Sequence, residues 1–100
     1  MICALTVRKL KPGTFDQFHD AFMEPISEGN RPEKFVRFDM IRNASDPDEV
    51  VTFGFFDGSM EEMRASMGDD RRGRQQEAIA PYVESVGADG VYEVVEEFAV

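Results

Sequence analysis

Cysteine, histidine and tryptophan are scarce in this 100-residue sequence, which has one Cys, one His and no Trp. Because Cys3 is the only cysteine, no disulfide can form within the chain, which excludes a small secreted scaffold held by disulfides. One His, one Cys and scattered carboxylates also give no recognisable ligand spacing for a metal. We therefore expect a buried, reduced thiol at Cys3 and no metal site.

Basic residues are also few, with 11 Lys and Arg against 20 Asp and Glu, a formal net charge of −9. This balance argues against a nucleic-acid partner, since binding to phosphates depends on clustered Lys and Arg. No apolar run approaches membrane-spanning length, and the basic residues near the N-terminus follow its short apolar run, the reverse of a secretory signal. The expectation is a cytoplasmic protein with no membrane contact.

Signatures of bound cofactors are missing as well. The sequence has no glycine-rich phosphate loop and no Ser-His-Asp or Cys-His pattern that the order of elements would bring together. Nucleotide, flavin and hydrolase functions are therefore disfavoured, and no cofactor is predicted.

What is present indicates one globular domain over residues 1–100, with 42% hydrophobic and 31% charged residues. Four segments have strand composition: 2–8, 35–42, 50–56 and 91–98. The third is apolar on both faces, with Val51, Phe53 and Phe55 on one and Val50 and Phe56 on the other. In the second, the alternation assigns Phe35 to the face of Arg37, Asp39 and Ile41, opposite Val36, Phe38 and Met40. Such strands need cover on both sides of the sheet.

The first predicted helix follows the turn Lys11-Pro12-Gly13, with Thr14 as its N-cap. Its apolar stripe recurs at spacings of three and four residues and consists of Phe15, Phe18, Phe22 and Ile26. Pro25 predicts a kink or an end near that point, because it cannot donate to the carbonyl of Ala21.

A second helical segment begins at the capping-box pattern of Ser59 and Glu62 and covers 60–67. A further helix, capped by Asp69 or Asp70, is predicted to run toward Tyr82 and Ser85. Gly87 and Gly90 would then separate it from the last strand.

This order of strand, helix, strand, strand, helix and strand predicts an α+β, ferredoxin-like βαββαβ fold with a four-stranded antiparallel sheet. The link 43–48 predicts a hairpin loop slightly longer than a tight turn. The helices cover one face of the sheet, and the other face would expose a contiguous apolar patch. We therefore predict a homodimer that packs sheet face against sheet face.

Several stretches together resemble the antibiotic biosynthesis monooxygenase family: KPG before the first helix, DPDE at the hairpin, an aromatic third strand ending in Asp57, EEM, APYV and the final VYEVVEEF. The resemblance covers nearly the whole chain. It implies a dimeric α+β barrel with a small-molecule pocket between helices and sheet. It further implies a cofactor-independent monooxygenase that acts on an aromatic or quinol-type small molecule.

Three positions depart from the pattern that the resemblance carries over. The aromatic residue closing the third strand, often Trp in the family, falls on Phe56. Two common histidines fall near Ser66 and Arg71. Because neither side chain has an imidazole, the carry-over disfavours the haem degradation found in some relatives.

His19 is the candidate catalytic residue, placed on the flank of the first helix's stripe where it could take a phenolic proton. The alternative is a boundary histidine packed on its neighbours and half in solvent. The candidate substrate-binding residues are Phe22, Met23, Phe38, Phe56, Met63, Arg71 and Tyr82. Core filling would explain the Phe and Met residues equally well, a solvated helix start would explain Arg71, and a packed ring with an exposed hydroxyl would explain Tyr82. The alternative function is a non-catalytic dimeric barrel that binds a small apolar ligand.

Overall fold

A computed structural model describes residues 1–27, 33–67 and 69–99. The strands are β1 (Ile2–Leu10), β2 (Phe35–Asn43), β3 (Asp46–Phe56) and β4 (Val83–Glu93). The helices are α1 (Phe15–Ser27), α2 (Met60–Met67) and α3 (Asp69–Ile79), and a single 3₁₀ turn, Ala80–Tyr82, leads into β4.

The four strands form one antiparallel sheet in the order β2-β3-β1-β4. The helices lie on one face of it, since buried residues of α1, α2 and α3 pack against the same side of β1 and β3. The predicted α+β, ferredoxin-like arrangement is therefore confirmed, with α2 and α3 together occupying the second helical position.

Strand β3 runs along the middle of this sheet and alternates in burial. Val50, Thr52, Gly54 and Phe56 are buried under the helices, while Val51, Phe53 and Phe55 are half-buried on the other side, here called the open face. This confirms the predicted division of the strand. Leu5 and Val7 of β1 lie on the same open face, because they pair with Phe53 and Val51.

Strand β2 departs from the predicted alternation because of a bulge. The pairing with β3 shifts between Phe35 and Arg37, so Val36 is an extra residue, 59% exposed. The expectation that Phe35 shares the face of Arg37 is therefore wrong. Phe35 turns under the helices and is 5% exposed, with its ring 5.0 Å from that of Phe56.

The hairpin between β2 and β3 is also tighter than predicted. Asn43 pairs with Asp46, which leaves Ala44 and Ser45 as a two-residue loop. Side chains close the turn: the backbone N–H of Ser45 donates to Asn43 Oδ1 at 2.8 Å, and that of Asp48 donates to Asp46 Oδ1 at 3.1 Å. Strand β3 therefore begins at Asp46, and because the pairing shifts between Arg42 and Asn43, residues 47–49 bulge out of the β2–β3 ladder.

The last strand was predicted at 91–98, which is wrong, since β4 covers Val83–Glu93. Pairing with β1 decides its position: Leu10 pairs with Val83 and Ile2 with Glu93. Gly87 and Gly90 therefore lie inside the strand rather than before it, beside an irregularity opposite Val7. In a sequence, a glycine suggests the end of a strand, yet a strand accommodates glycine where its ladder of hydrogen bonds is irregular.

Helix α1 begins at Phe15, directly after the predicted turn. Gly13 has a φ of 75° in the predicted turn, and the carbonyl of Thr14 accepts the backbone N–H of Phe18 at 2.9 Å. The Thr14 hydroxyl, however, donates backward to the Lys11 carbonyl at 2.8 Å. Helix α1 continues two residues past Pro25, and Gln75 Nε2 of α3 donates to the Phe22 carbonyl at 2.9 Å near that point.

The capping box of α2 is confirmed in full. The Ser59 backbone N–H donates to Glu62 Oε1, and the Glu62 backbone N–H donates to Ser59 Oγ, both at 3.1 Å. Glu62 also pairs with Lys34, which precedes β2. Local pattern and structure agree here because every partner lies within one turn or at a paired strand end.

Under the helices the core has two buried clusters. The first cluster contains Ile2, Phe35, Phe56 and Met63, and the second cluster contains Leu10, Phe18, Val50 and Ile79.

Cys3 is buried and unpaired as predicted, and burial raises the pKa of its thiol. Within the described residues, no helix has the length and apolar character needed to cross a membrane.

Candidate functional site

A polar strip separates the two buried clusters on the helix-facing side of the sheet. Along β1 this side presents Ile2 of the first cluster, then Ala4, Thr6 and Arg8, and finally Leu10 of the second cluster. Thr6 pairs with Thr52 of β3 on one side and with Asp89 of β4 on the other. We call Thr6, Arg8, Thr52 and Asp89 the polar strip.

Arg8 is the buried end of this strip. Arg8 is only 5% exposed, and its Nη1 donates to Thr52 Oγ1 at 2.9 Å. Its guanidinium carbon lies 5.8 Å from the ring centroid of Phe18 and 5.6 Å from that of Phe22, within the range of a cation–π contact. Helix α1 therefore covers the cation with two aromatic rings.

The described surroundings compensate the charge of Arg8 in part. Burial lowers the pKa of its guanidinium, and the negative charge of Asp89 opposes that shift. Arginine nevertheless stays protonated. Among the described side chains, none of the ion pairs involves Arg8. A buried cation without a carboxylate in contact is costly, so the site favours an added negative charge.

Asp89 forms the exposed end of the strip. It lies on the edge strand β4, where its Oδ1 accepts a hydrogen bond from Thr6 Oγ1 at 3.0 Å. The strip therefore runs from a solvent-exposed carboxylate at the sheet edge to a buried guanidinium under α1. A small molecule that followed it would meet a hydrogen-bond acceptor at the outside and donors at the inside.

His19 lies on α1 with its side chain 47% exposed. Its Nδ1 is 3.2 Å from Asp20 Oδ1, and its ring centroid is 6.1 Å from that of Phe15. This position matches the alternative interpretation of a boundary histidine packed on a neighbouring ring. The catalytic role of His19 stays a prediction.

The predicted substrate-binding residues fall into two groups. Phe22 and Tyr82 pack against the second cluster, and Phe22 also covers Arg8. Phe56 and Met63 belong to the first cluster, and Phe38 stacks on Phe35 of that cluster with ring centroids 4.5 Å apart. Met23 is half-buried on α1. Arg71 lies in α3, and its side chain is outside the described residues.

An open cleft of about 460 Å³ lies beside the first cluster, lined by Glu33, Lys34, Phe56, Glu62, Ala65 and Ser66. Its lining includes Phe56 and Ser66, two of the positions that depart from the family pattern. Phe56 is 1% exposed, so it offers little surface to a ligand, and Ser66 Oγ donates to the Met63 carbonyl at 2.9 Å. The paired Lys34 and Glu62 give the cleft a charged rim.

The sequence interpretation missed the polar strip, although a signal for it exists. Thr6 and Arg8 share the parity of Ile2 in a strand predicted to be covered on both faces. A charged residue in such a strand must find compensation inside the fold. Asp89 could not be linked to it, because the last strand was placed too late in the chain. No role was predicted for Thr52, which lies between Val51 and Phe53.

Comparison with known proteins gives the fold a context. No protein-family model matches the chain, and no curated protein does. Solved structures do match it over nearly its whole length. A "Putative antibiotic biosynthesis monooxygenase" from Nitrosomonas europaea matches with a TM-score of 0.78 and 16% identity, over 96% of this chain and 100% of that one. The chain shares the fold of antibiotic biosynthesis monooxygenase structures.

Two further structures of the same name agree. One from Deinococcus radiodurans has a TM-score of 0.80 at 10% identity, over 100% of this chain and 98% of that one. One from Caulobacter crescentus has a TM-score of 0.79 at 14% identity, over 95% and 90%. The resemblance noted in the sequence is thereby confirmed for the fold, which by itself fixes no activity.

Proposed function

We propose that the protein is a cofactor-independent monooxygenase that oxidises an aromatic or quinol-type small molecule between α1 and the sheet. The observation that carries this proposal is the polar strip, in which a buried cation that has no ion pair among the described side chains lies under two phenylalanine rings. A guanidinium favours an oxyanion, and the half-buried ring of Phe22 suits a flat neighbour, whereas Phe18 is fully buried and supports Arg8 from within the core. The monooxygenase names of structures with this fold support the same reaction class.

The chemistry needs no external reductant. A phenol or quinol that loses its hydroxyl proton becomes an electron-rich anion able to react with O₂ at a ring carbon. One oxygen atom of O₂ becomes a carbonyl of the quinone product, and the other leaves as water with two hydrogens of the substrate. All four electrons come from the substrate. The protein's part is to stabilise the anion, which Arg8 is placed to do.

The proposal includes a homodimer formed through the open face. This face carries half-buried Val51, Phe53 and Phe55 beside Ile41, which is 51% exposed, and Tyr92, which is 48% exposed. Arg37 Nε and Asp39 Oδ2, 2.6 Å apart, add one ion pair to it. A second copy of the same chain suits this surface because the patch is mostly apolar and its charges already balance.

The second candidate is a non-catalytic barrel that binds a small apolar ligand. Two observations favour it. Phe56 and Ser66 replace the Trp and His common in the family, and His19 is half exposed with Asp20 as its neighbour. Under this alternative the aromatic side chains near α1 would hold a ligand without turnover.

Oxygen uptake separates the two candidates. The purified protein, treated with a chelator and freed of flavin, is mixed with a panel of quinols and polyketide-like phenols in an oxygen electrode. The monooxygenase proposal predicts protein-dependent uptake with at least one compound, with one O₂ consumed per product. Uptake equal to the protein-free rate across the panel, together with measurable binding, supports the second candidate instead.

A further inference from the structure

We propose that the polar strip selects aromatic acids and phenolates, with the anionic oxygen on the guanidinium of Arg8 and a second hydroxyl of the ring donating to Asp89. This inference rests on the proposed function for the location of the ligand and goes beyond it by assigning the ligand's charge and substitution. It concerns recognition and involves no covalent step.

The inner half of the assignment follows from the hydrogen-bonding capacity of Arg8. Guanidinium has five N–H donors, and one of them donates to Thr52 within the described part of the chain. A carboxylate can accept two of the others in the planar, bidentate arrangement that arginine favours, and a phenolate can accept one. Since the residue is only 5% exposed, water competes weakly for these donors.

The outer half follows from the sheet register. Thr6 and Arg8 are two residues apart on β1, about 7 Å along the strand, and Asp89 pairs directly with Thr6. The distance between the two ends of the strip is thus of the order of one substituted aromatic ring. Asp89 accepts a hydrogen bond from Thr6 and remains exposed, so its carboxylate has acceptor capacity left for a ligand hydroxyl.

The arrangement also predicts which ligands are disfavoured. A neutral ring adds no negative charge beside the buried cation, and a ring with an anionic group at both ends places one of them against Asp89. The preferred ligand therefore has one anionic group and one hydroxyl at opposite ends.

Binding of three naphthalene probes tests the proposal without any turnover. The probes are 2-naphthoate, the neutral 2-naphthamide of similar shape, and 6-hydroxy-2-naphthoate, each titrated by calorimetry at fixed ionic strength. For the unaltered protein we expect 2-naphthoate to bind at least about tenfold more tightly than 2-naphthamide, as charge-assisted hydrogen bonds imply. The added hydroxyl should tighten binding again by a few-fold.

Substitutions at the two ends of the polar strip test the two ligand contacts separately. Arg8→Met should bring the affinity ratio of naphthoate to naphthamide to about one, while Asp89→Asn should keep this ratio above one and reduce the gain from the hydroxyl. Arg42→Met is the matched control, because Arg42 also lies over a ring, that of Phe15 at 4.5 Å, but at an exposed position. It should leave both ratios unchanged.

Three results would overturn the assignment: equal affinity of the unaltered protein for naphthoate and naphthamide, no binding of any probe, or an Arg8→Met protein that keeps the preference. Asp89 is exposed, so its variant remains informative if Arg8→Met fails to fold. Probe preference without oxygen uptake would reject the proposed function and keep this site. Uptake without preference would reject this site and keep the function.

Discussion

Arg8 and Thr52 are joined by a buried hydrogen bond, so the cost of replacing one side chain depends on whether the other is present. Thr52 Oγ1 is the described acceptor for the buried guanidinium, at 2.9 Å, and Thr52 is itself 8% exposed. A buried donor that loses its acceptor costs about 1–3 kcal/mol, whereas replacing both partners by apolar groups of similar shape is close to neutral.

We therefore predict that Thr52→Val lowers the free energy of unfolding by about 1–3 kcal/mol in the unaltered protein. In an Arg8→Met background the same change should cost less than about 0.5 kcal/mol, because no buried donor is left unpaired. Urea denaturation of the four proteins of this cycle measures both values. Equal costs in the two backgrounds would show that the hydrogen bond has no energetic role.

His19 provides a second test at a single residue. Its exposure and its contacts with Asp20 and Phe15 place it at the boundary of α1. We expect His19→Gln to retain at least about half of any oxygen uptake, since general acid–base catalysis by a removed residue would cost about a hundredfold or more. A hundredfold loss with unchanged unfolding would instead establish the catalytic role predicted from the sequence.

Residues whose roles depend on distant partners were the ones the sequence could not assign. Phe18, Phe22 and Phe56 were recognisable as inward-facing because helix and strand periodicity is a local property. Arg8 shows the opposite case, since its meaning depends on Thr52 and Asp89, which lie 44 and 81 positions away. Nothing in the spacing along the chain brings those residues together before the register of the sheet is known.

At the scale of elements, the junction of β2 and α2 is held by charge. The hydrogen bond from Lys34, with help from the backbone N–H of Ser59, holds the pKa of the Glu62 carboxyl below its ordinary value. A lowered carboxyl pKa stabilises the fold above the unfolded-state value, and this contribution is lost as the pH falls through the folded-state value. The pair is about half exposed, so salt weakens it.

Glu62→Gln should consequently make the loss of stability on acidification shallower. We expect the difference between the variant and the unaltered protein to be present at neutral pH, to begin to shrink as the pH falls to the ordinary carboxyl pKa, and to vanish only below the lowered folded-state pKa of Glu62. Urea midpoints over a pH series measure it, with Glu61→Gln on the same helical turn as the control. A difference independent of pH would assign the effect to packing and not to the carboxylate.

Elements with local signals were predicted well, whereas the position of β4 and the bulge of β2, which depend on pairing with a neighbouring strand, were not. The capping box of Ser59 and Glu62, the turn at Gly13 and the stripe of α1 all depend on residues within a few positions. The prediction placed the start of strand β4 eight residues too late, at 91 instead of Val83, because the glycines of the strand suggested a break. The bulge at Val36 was also missed, since it is defined only by the neighbouring strand.

For the whole molecule, the open face is the surface through which we propose that the homodimer forms. Phe53 lies at its middle, opposite Leu5 on one neighbouring strand and Asp39 on the other. In the proposed homodimer, Phe53→Glu would bury two carboxylates against each other across the interface, which is strongly unfavourable. We expect this variant to sediment as a monomer at micromolar concentration, where the unaltered protein sediments as a dimer.

Met60→Glu serves as the matched control for that variant. Met60 is 41% exposed at the start of α2, on the other side of the sheet, so an added carboxylate there leaves the open face intact. The control should remain a dimer. A monomer for the unaltered protein would contradict the proposed assembly, and a dimer for Phe53→Glu would place the interface elsewhere.

We propose that this protein, with its buried cation under α1, adds oxygen from O₂ to an aromatic ring without a cofactor. Mass spectrometry of the product formed under ¹⁸O₂ tests it most directly, using protein freed of metal and flavin and the best compound from the uptake panel. We predict one ¹⁸O atom per product molecule from O₂ and none from labelled water, with the incorporation rate greatly reduced in Arg8→Met. A product formed without label from O₂, or at the same rate without protein, would contradict it.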